Sequence, residues 1–419
     1  IPEEDRILML AAARVVLVAA RGPLPQQLGT PVETVELPDR LSTEPVEEEP
    51  SAPLPFMTLP YFNGLGGFTA DGREYAIYLG PDRQTPAPWV NVMANPNFGT
   101  LVSESGSGFT WYGNSQQNRL TGWSNDPVSD PPSEAIYIRD EETGTFWTPT
   151  PLPVRELDAY RVRHGAGYTV FEHNSHAIEQ ELTTFVPVDE GGGEPVSIRR
   201  LRLRNDSSRT RRLSVTFYVE WTLGGDRETT GTHVTTTWDR SARAMAVRNH
   251  YRPDYGDRIA FASLSPPPQT YTGDRAAFVG RNGNLAVPAA MRRVGLSGRV
   301  GAGLDPCAAL QTMVVELAPG ETTELTCLLG EAGSPEEVSA LVKKYRDRAA
   351  VEEALTKTKR WWDQLLDTVQ VETPALSVNV LCNRWLVYQT LSCRIWGRSG
   401  FHQSGGAFGF RDQLQDVCA

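Results

Sequence analysis

The sequence is short of cysteine, of long apolar runs and of excess positive charge, and each shortage argues against a class of protein. Its five cysteines form no CxxC pair and show no zinc-ligand spacing, so neither a disulfide framework nor a zinc site is indicated. An odd number of scattered thiols is typical of a reduced cytosolic protein in which most of them are buried. The five are Cys307, Cys327, Cys382, Cys393 and Cys418.

The apolar stretch near the amino terminus, Ile7 to Ala20, does not predict a membrane span. It contains Arg14, is too short to cross a bilayer, and lacks the layout of a signal peptide. An amphipathic linker helix is the better interpretation. The chain begins with Ile1 and ends at Ala419 within a helical pattern, so we expect it to be a piece of a longer protein, which could carry membrane segments of its own.

Acidic residues outnumber basic ones, 51 to 40, and the net charge is −11. This balance argues against a nucleic-acid partner and against binding to an anionic membrane surface, because both reward basic patches. A chain of 419 residues is too long for one compact core and suggests two or three domains. The 37 glycines and 31 prolines favour many turns and therefore many short strands.

The residue pattern divides the chain into a β part followed by an α part. Strand-like alternation dominates first, and helical spacing of apolar residues replaces it near residue 334. The predicted segments are an N-terminal helix at 1–22, a Pro- and Glu-rich linker at 23–55, an antiparallel β-sandwich at 56–331, a helical linker at 332–372 and the first helices of a further domain at 373–419.

Three stretches carry the strand prediction. Apolar residues alternate from Leu213 to Trp221, which places one face on a core and the other towards solvent or a second layer. The turn Asp71-Gly72-Arg73 separates two strand-like segments. Alternation at 313–317, the turn Pro319-Gly320 and renewed alternation at 325–329 predict an antiparallel hairpin.

Helix signals begin at Ser334-Pro335-Glu336-Glu337, a capping box with proline at the first helical position. Val338 to Tyr345 and Val351 to Leu365 follow with helical spacing. Thr373-Pro374 predicts the start of another helix. Its apolar stripe comprises Val378, Leu381, Trp385, Tyr388 and Ile395.

The segment from Gly405 to Asp416 is the strongest candidate for chemistry. Glycines permit a tight turn, and Arg, Asp and Gln side chains then follow within six residues. Such side chains supply both the donors and the acceptors that sugar hydroxyls need. A charged helix start with Asp412 facing the helix dipole explains the same residues equally well. The candidate residues are Arg411, Asp412, Gln415 and Asp416.

Other polar or aromatic clusters are weaker candidates. The glycine-rich run Asn63 to Phe68 leads into strand-like residues, so it predicts a structural turn and not a phosphate-binding loop. Tryptophans in Pro- and Asn-rich loops can stack on sugars, but anchoring of loops is their commoner use. The histidines near 164 and 173–176 lack metal-ligand spacing and are interpreted as hydrogen-bonded loop residues. The four tryptophans are Trp89, Trp111, Trp123 and Trp147.

Several runs together resemble glycoside hydrolase family 94, and within it most closely the β-1,2-glucan members: the C-terminal region of cyclic β-1,2-glucan synthases and the 1,2-β-oligoglucan phosphorylases. The resemblance covers nearly everything from Phe56 to Ala419. It implies a β-sandwich, a helical linker and an (α/α)6 barrel, usually as a homodimer. The runs are 62–68, 85–89 (Thr-Pro-Ala-Pro-Trp), 123–130 (Trp-Ser-Asn-Asp-Pro-Val-Ser-Asp), 301–307 and 408–416.

The activity that the resemblance implies is inverting phosphorolysis. A carboxylic acid protonates the glycosidic oxygen while inorganic phosphate attacks the anomeric carbon, giving α-glucose 1-phosphate. Phosphate is a co-substrate in this scheme, and no cofactor or metal is expected. The implied location is the cytoplasm, or the cytoplasmic face of the inner membrane if the chain belongs to a synthase.

Few residue roles follow from the resemblance. Asp412 matches a family aspartate that hydrogen-bonds the sugar at the cleaved bond, and Arg411, Gln415 and Asp416 share its motif. Gly406 stands where some relatives have an arginine, so that contact does not transfer. The general acid and the phosphate ligands are expected beyond Ala419, which would leave this chain inactive by itself. The alternatives are a non-catalytic carbohydrate-binding or dimerising sandwich and a hydrolase or transglycosylase of similar architecture.

Overall fold

A computed structural model of the chain describes residues 1–13, 16, 17, 19, 23, 24, 27, 37–252, 254–400, 403–405, 411, 414, 415 and 418. Two ten-stranded sheets, in which all paired strands are antiparallel, form a sandwich, and helices follow it in the chain. The fold class predicted from the sequence, a large antiparallel β-sandwich followed by helices, is therefore confirmed.

The first sheet extends from the start of the sandwich to its last strand. Strand β20 lies between β12 and β16, so the sheet is complete only when the end of the domain is in place. In spatial order the strands are β1 (Gly66–Phe68), β2 (Glu74–Leu79), β9 (Tyr160–Gly165), β10 (Tyr168–Ser175), β11 (Ile178–Phe185), β12 (Val196–Asn205), β20 (Thr322–Ala332), β16 (Ile259–Ser265), β15 (Ala244–Asn249) and β14 (Val234–Asp239).

The second sheet is organised around β13, which runs for 14 residues. In spatial order it contains β17 (Thr270–Asp274), β18 (Pro306–Gln311), β13 (Arg211–Gly224), β6 (Arg119–Thr121), β5 (Gly108–Tyr112), β4 (Phe98–Ser103) and β3 (Val90–Asn95). Two further strands pair with β13, namely β7 (Glu134–Asp140) and β19 (Val315–Leu317), and β8 (Phe146–Trp147) pairs with β7.

The main core lies between the two sheets. Phe217 and Trp221 of β13 are fully buried there against inward-facing side chains of the first sheet such as Phe171 and Leu201. The alternation predicted for β13 is confirmed, and its second face is also buried, because the segment around Phe278 covers it.

The predicted hairpin around Pro319-Gly320 is wrong in its pairing. The turn exists, since the Glu321 amide donates to the Ala318 carbonyl. However, β19 before it pairs with β13 of the second sheet, whereas β20 after it pairs with β12 and β16 of the first. The turn therefore passes the chain from one sheet to the other, and local alternation alone cannot distinguish these two outcomes.

Helices cover the outer face of the first sheet. The predicted cap is present: the Glu337 amide donates to the Ser334 hydroxyl at 3.2 Å, and Val338 and Val342 are buried against the sheet. The longer helix that follows buries Trp362. The α-helices so far are α1 (Glu3–Ala12), α2 (Arg227–Thr230), α3 (Arg275–Val279), α4 (Pro335–Tyr345) and α5 (Arg348–Leu366), with short 3-10 turns at Gly231–His233 and Ala289–Arg292.

The last helical segment, here called the C-terminal helix (376–397), alternates between α-helical and π-helical geometry. It comprises α6 (Leu376–Val380), the π-helical Leu381–Trp385, α7 (Leu386–Gln389) and the π-helical Thr390–Gly397. Two two-residue strands, β21 (Ser399–Gly400) and β22 (Gln403–Ser404), follow.

The π-helical turns alter the predicted stripe of the C-terminal helix. Trp385 and Tyr388 are buried, but Val378 and Leu381 are exposed. Wider turns shift the angular position of each later residue, so a stripe drawn for a regular α-helix does not remain on one face. The helix also begins at Leu376, after the predicted Thr373-Pro374.

At the amino terminus, α1 covers only part of the predicted range 1–22, and the chain is already extended at Ala13. Residues 37–55 follow the sandwich surface without forming a strand. This segment, here called the strap, bonds to the sandwich at several points, among them the Glu44 amide to the Glu142 carbonyl. Among the described residues, no helix is both long and apolar enough to cross a membrane.

Candidate functional site

A cavity of about 650 Å³ lies between the edge of the sandwich and the C-terminal helix. The sandwich wall comes from β1, β2, β3 and β9, and the opposite wall comes from residues 381–394. Its size is in the range of small-molecule sites. The side chains on the sandwich wall are Phe68, Tyr75, Trp89, Val90, Asn91, Val92 and His164.

Aromatic rings form a continuous part of this wall. Tyr75 makes edge-to-face contacts with Phe68 at 5.0 Å and with Trp89 at 5.8 Å between ring centroids. Phe68 also lies 5.5 Å from Trp385 of the C-terminal helix. Rings of this kind present apolar faces beside polar tips, which suits a ligand that has both.

The backbone of Trp89 is fixed on both sides. Its amide donates to Glu104 Oε2 at 2.7 Å, and its carbonyl lies 3.1 Å from His164 Nε2. A carbonyl can only accept, so Nε2 carries the proton, and the Thr169 hydroxyl donates to Nδ1 at 3.0 Å. Burial lowers the pKa of His164 to about 4, so the imidazole is neutral and serves to position Trp89.

Glu104 completes this support from the other side. Burial raises its pKa, the bonds from the Thr85 hydroxyl and the Trp89 amide oppose that rise, and the charge of Asp130 adds to it. Thr85 and Trp89 are the ends of the run 85–89, which the sequence analysis singled out. Both ends of that run therefore bind one buried carboxyl group.

The helix wall is attached to the sandwich by polar side chains. The Gly167 amide donates to the Tyr388 hydroxyl at 3.0 Å, and that hydroxyl lies 2.9 Å from Asn91 Oδ1 and 2.8 Å from the Val92 carbonyl. The Ser392 hydroxyl also donates to the Val92 carbonyl. The two walls are thus held in register by buried hydrogen bonds.

Two further contacts fix the attachment. Trp385 Nε1 donates to the Gly72 carbonyl at 3.0 Å, and Gly72 has a φ of +68°, a conformation that favours glycine in this turn. Asn91 Nδ2 donates to the carbonyls of Gly165 and Tyr168, both at 2.9 Å. Hydrogen bonds from the surrounding side chains therefore hold the backbone around the cavity in place.

The structure describes two of the four predicted site residues. Gln415 is exposed and lines the cavity, and Arg411 is exposed and helical. Asp412 and Asp416 lie outside the described residues, so their predicted role is untested. Sequence reasoning missed Asn91, which follows the run 85–89 closely enough that the run could have pointed to it.

The helix side of the cavity supplies polar groups that the sequence analysis also missed. Gln389, Thr390 and Arg394 line it beside Cys393. They lie beside Leu381, Trp385 and Tyr388 of the predicted apolar stripe, which line the same cavity, but the sequence analysis considered only the apolar members. Amide and guanidinium groups here could hydrogen-bond a hydroxyl-rich ligand.

The four tryptophans named in the sequence analysis have different surroundings. Trp111 and Trp147 are buried and anchor the sandwich. Trp89 lines the cavity, and Trp123 stacks on Phe109 with centroids 5.0 Å apart.

The histidines at 164 and 173 are hydrogen-bonded, as predicted, but lie on β9 and β10 and not in loops. Asn63 forms the predicted turn by accepting from the Leu65 and Gly66 amides. Among the described residues, no group of three or more His, Cys, Asp or Glu side chains could hold a metal ion.

Two family profiles match the chain. Residues 73–348 match the glycosyl hydrolase 94 supersandwich domain, and residues 361–419 match the start of the glycosyl hydrolase 94 superfamily catalytic domain. The chain belongs to glycosyl hydrolase family 94. Membership was expected from the resemblance, and apart from Phe68 the residues that line the 650 Å³ cavity lie within the two matched segments.

Three curated proteins are similar to the chain in sequence. The chain is 40% identical over 363 residues to cyclic beta-(1,2)-glucan synthase NdvB of Rhizobium meliloti, covering 86% of the chain and 13% of that protein. It is 31% identical to N,N'-diacetylchitobiose phosphorylase of Vibrio furnissii, covering 84% and 44%, and 30% identical to solabiose phosphorylase of Paenibacillus borealis, covering 85% and 45%. The chain spans less than half the length of each relative.

Proposed function

We propose that this family 94 chain is the N-terminal portion of an inverting phosphorylase that acts on β-1,2-glucan, alone or as the tail of a cyclic β-1,2-glucan synthase. Phosphate is the co-substrate and α-glucose 1-phosphate the product. The observation that carries the proposal is the 650 Å³ cavity, whose lining residues, apart from Phe68, come from the supersandwich segment and from the start of the catalytic segment.

The lining of the cavity suits a sugar. Aromatic rings at Tyr75 and Trp89 offer apolar surface to the C–H faces of a pyranose, and the amides of Gln389 and Gln415 offer donors and acceptors to its hydroxyls. Arg394 carries the only full charge among the described lining residues, because His164 is neutral. An arginine in the lining disfavours a cationic ligand, and its guanidinium can donate to a sugar hydroxyl.

The reaction needs groups that we place beyond Ala419. In an inverting displacement a carboxylic acid protonates the leaving oxygen while the nucleophile attacks from the opposite face. Asp412 is proposed to hydrogen-bond the sugar, with Arg411, Gln415 and Asp416 supporting it. We therefore expect this chain to bind glucan without turning it over.

The test compares the 419-residue chain with the complete product of its gene. Both are incubated with linear β-1,2-gluco-oligosaccharides with and without phosphate, and glucose 1-phosphate is assayed. Release by the complete product alone, and only with phosphate, is expected. Release by the 419-residue chain would contradict the placement of the acid, and phosphate-independent cleavage would establish a hydrolase or transglycosylase.

The linkage is proposed from the identity to the β-1,2-glucan synthase, 40% against 31% or less for the disaccharide phosphorylases cited above. Competition among β-1,2-gluco-oligosaccharides, cellobiose and N,N'-diacetylchitobiose tests it, with preference for the first expected. A homodimer and a cytoplasmic location, or the cytoplasmic face of the inner membrane, belong to the same proposal. Light scattering of the purified protein tests the dimer, and a monomer at micromolar concentration would contradict it.

A further inference from the structure

Glu104 holds Trp89 at the point where a β ladder ends. Strands β3 and β4 are paired as far as Val90 and Ser103, and the next two residues, Trp89 and Glu104, face each other. The Glu104 amide donates to the Trp89 carbonyl at 3.2 Å, which is one of the two backbone bonds expected of such a pair. The Trp89 amide donates instead to the Glu104 carboxylate, at 2.7 Å. One bond at the end of the ladder therefore depends on the ionisation of a side chain.

The residue held in this way forms part of the 650 Å³ cavity. Trp89 is partly exposed and lines that cavity, with its ring 5.8 Å from the ring of Tyr75. Residues 86 and 88 are both proline, so the backbone that leads to Trp89 has few alternative conformations. A change in the hydrogen bonds of the Trp89 backbone is therefore transmitted to an aromatic wall of the cavity.

Glu104 itself faces a different cavity. It is 5% exposed, does not line the 650 Å³ cavity, and lines a separate one of about 170 Å³. The wall of the smaller cavity also includes Val128, which is 92% exposed and so brings that wall to the protein surface. The carboxyl group can therefore exchange protons with solvent from this side, whether or not sugar occupies the larger cavity.

Other ionisable groups surround Glu104. Burial raises its pKa above the ordinary value of 4.5, its two hydrogen bonds oppose that rise, and the negative charge of Asp130 adds to it. Arg155 lines the 170 Å³ cavity as well, but its Nη2 donates to two backbone carbonyls. His164, on the other side of Trp89, has a pKa of about 4 and stays neutral in weak acid. Protonation of Glu104 therefore precedes that of His164 as the pH falls.

Protonation changes what Glu104 offers its two partners. The Thr85 hydroxyl and the Trp89 amide both donate to the ionised carboxylate. A hydroxyl can reverse and accept, whereas an amide can only donate. The protonated group therefore donates to Thr85 and accepts from Trp89 through its remaining carbonyl oxygen. That bond to Trp89 is no longer charge-assisted and is roughly half as strong.

We propose that Glu104 is a positioning residue for the 650 Å³ cavity: its ionised carboxylate fixes Trp89 in the place that binds sugar, and its protonation weakens sugar binding. The effect on sugar rests on the proposed function, whereas the effect on Trp89 does not. Sugar affinity is full at a pH above the raised pKa of Glu104 and falls as the pH drops through it.

The test is calorimetric titration of the 419-residue chain with a linear β-1,2-gluco-oligosaccharide at pH 7.5, 6.0 and 5.0. Glu104→Gln reproduces the protonated form, because its amide donates to Thr85 and its oxygen accepts from Trp89. We expect this variant to bind about fivefold more weakly than the parent at pH 7.5 and to show no further change at pH 5.0. The parent should approach the same affinity as the pH falls.

A matched control comes from another buried carboxyl group. Glu331 is fully buried, its pKa is also raised by burial, and it lines neither of the two cavities. Glu331→Gln should therefore keep the affinity and the pH dependence of the parent. A parent whose affinity does not change with pH, or a Glu104→Gln variant that keeps the pH dependence, would overturn the proposal.

A double variant tests whether Glu104 acts through Trp89. Trp89→Ala removes the ring and should weaken sugar binding, and addition of Glu104→Gln to it should have no further effect. An undiminished fivefold loss in the Trp89→Ala background would show that Glu104 acts by another route and would overturn its role as a positioning residue.

Hydrogen exchange without sugar separates this proposal from the proposed function. Corrected for the intrinsic pH dependence, the Trp89 amide should exchange up to about fivefold faster at pH 5.0 than at pH 7.5 in the parent, and at one rate in Glu104→Gln. An unchanged corrected rate in the parent would overturn the positioning of Trp89. The expected exchange without sugar binding at any pH would refute the proposed function of the cavity but not the positioning.

Discussion

The sandwich and the C-terminal helix satisfy their apolar surfaces in different ways. The sandwich encloses its own core, with Phe217 and Trp221 fully buried between the sheets. The C-terminal helix buries Trp385 and Tyr388 against the sandwich but leaves Leu376 51% exposed and Val387 37% exposed. An element with apolar residues on both sides is one that normally packs between two neighbours. The sandwich thus encloses its own core, whereas the C-terminal helix keeps an exposed apolar side.

Their buried polar groups show the same contrast. In the sandwich, Arg199 of the first sheet pairs with Glu134 of the second, and Thr110 and Thr121 donate to the same carboxylate. In the helix, the buried polar groups bond mainly to backbone atoms of the sandwich, as Tyr388 does with Gly167. Loosening the helix should therefore leave the sandwich folded, whereas damage to the sandwich should release both.

The largest expected effect is on the sandwich core. Phe217→Ala opens a cavity at a fully buried site on β13 and should lower the free energy of unfolding by about 3–5 kcal/mol. Urea denaturation followed by tryptophan fluorescence measures it. Val128→Ala, at a position 92% exposed, is the control and should change stability by less than about 0.5 kcal/mol. A small effect at Phe217 would show that the sheets do not share one core.

Acid should weaken the sandwich next most strongly. Burial lowers the pKa values of His164 and His173 to about 4 from an ordinary 6.5. The unfolded chain takes up these protons first, so stability falls as the pH drops from about 6.5 to 4, by up to roughly 3 kcal/mol per histidine. Denaturation at pH 7.5, 5.5 and 4.5 measures this. His164→Gln and His173→Gln should each flatten the profile, and an unchanged slope in both would contradict the assignment.

Removal of a single hydroxyl group should weaken the attachment of the C-terminal helix to the sandwich. Tyr388→Phe leaves the buried Gly167 amide without its acceptor and should weaken the attachment by about 1–3 kcal/mol. Hydrogen exchange of residues 376–397 should accelerate while exchange in β13 stays unchanged. Val387→Ala, on the exposed side of the helix, should have little effect. Equal acceleration in β13 would mean that the two regions unfold together.

The smallest expected effect concerns the strap. Burial lowers the pKa of His176, but hydrogen bonds and charge from Glu156 and Glu48 outweigh it, so the pKa is raised. The stabilisation that protonated His176 gives to the strap is therefore complete below the ordinary histidine pKa of about 6.5. It is lost as the pH rises through the raised pKa of His176. Corrected for the intrinsic pH dependence, exchange of amides near Glu48 should rise about twofold to fivefold over that range. His176→Gln should remove the dependence, and a pH-independent strap in the parent would refute it.

The sequence predicted the secondary-structure elements better than it predicted which strands pair with each other. The alternation of β13 and the cap at Ser334 depend on neighbours in the chain, and both were predicted correctly. The pairing of β19 and β20 depends on which sheet each reaches after the Pro319-Gly320 turn, and the local pattern contains no information on that choice.

The same limit applies to the candidate site. Gln415 was named from its motif, and it lines the cavity. Asn91 and His164 were missed as site residues because their roles depend on contacts with Tyr388 and Trp89, far away in the chain. The stripe of the C-terminal helix was misjudged for a related reason, since its π-helical turns are not visible in the spacing of apolar residues.

Hydrogen exchange with a linear β-1,2-gluco-oligosaccharide is the most direct test of whether both regions form one sugar site. We predict that protection appears together in residues 88–92 of the sandwich and 389–394 of the C-terminal helix, at the same sugar concentration. Protection of only one of these segments, or of neither at saturating sugar, would contradict it.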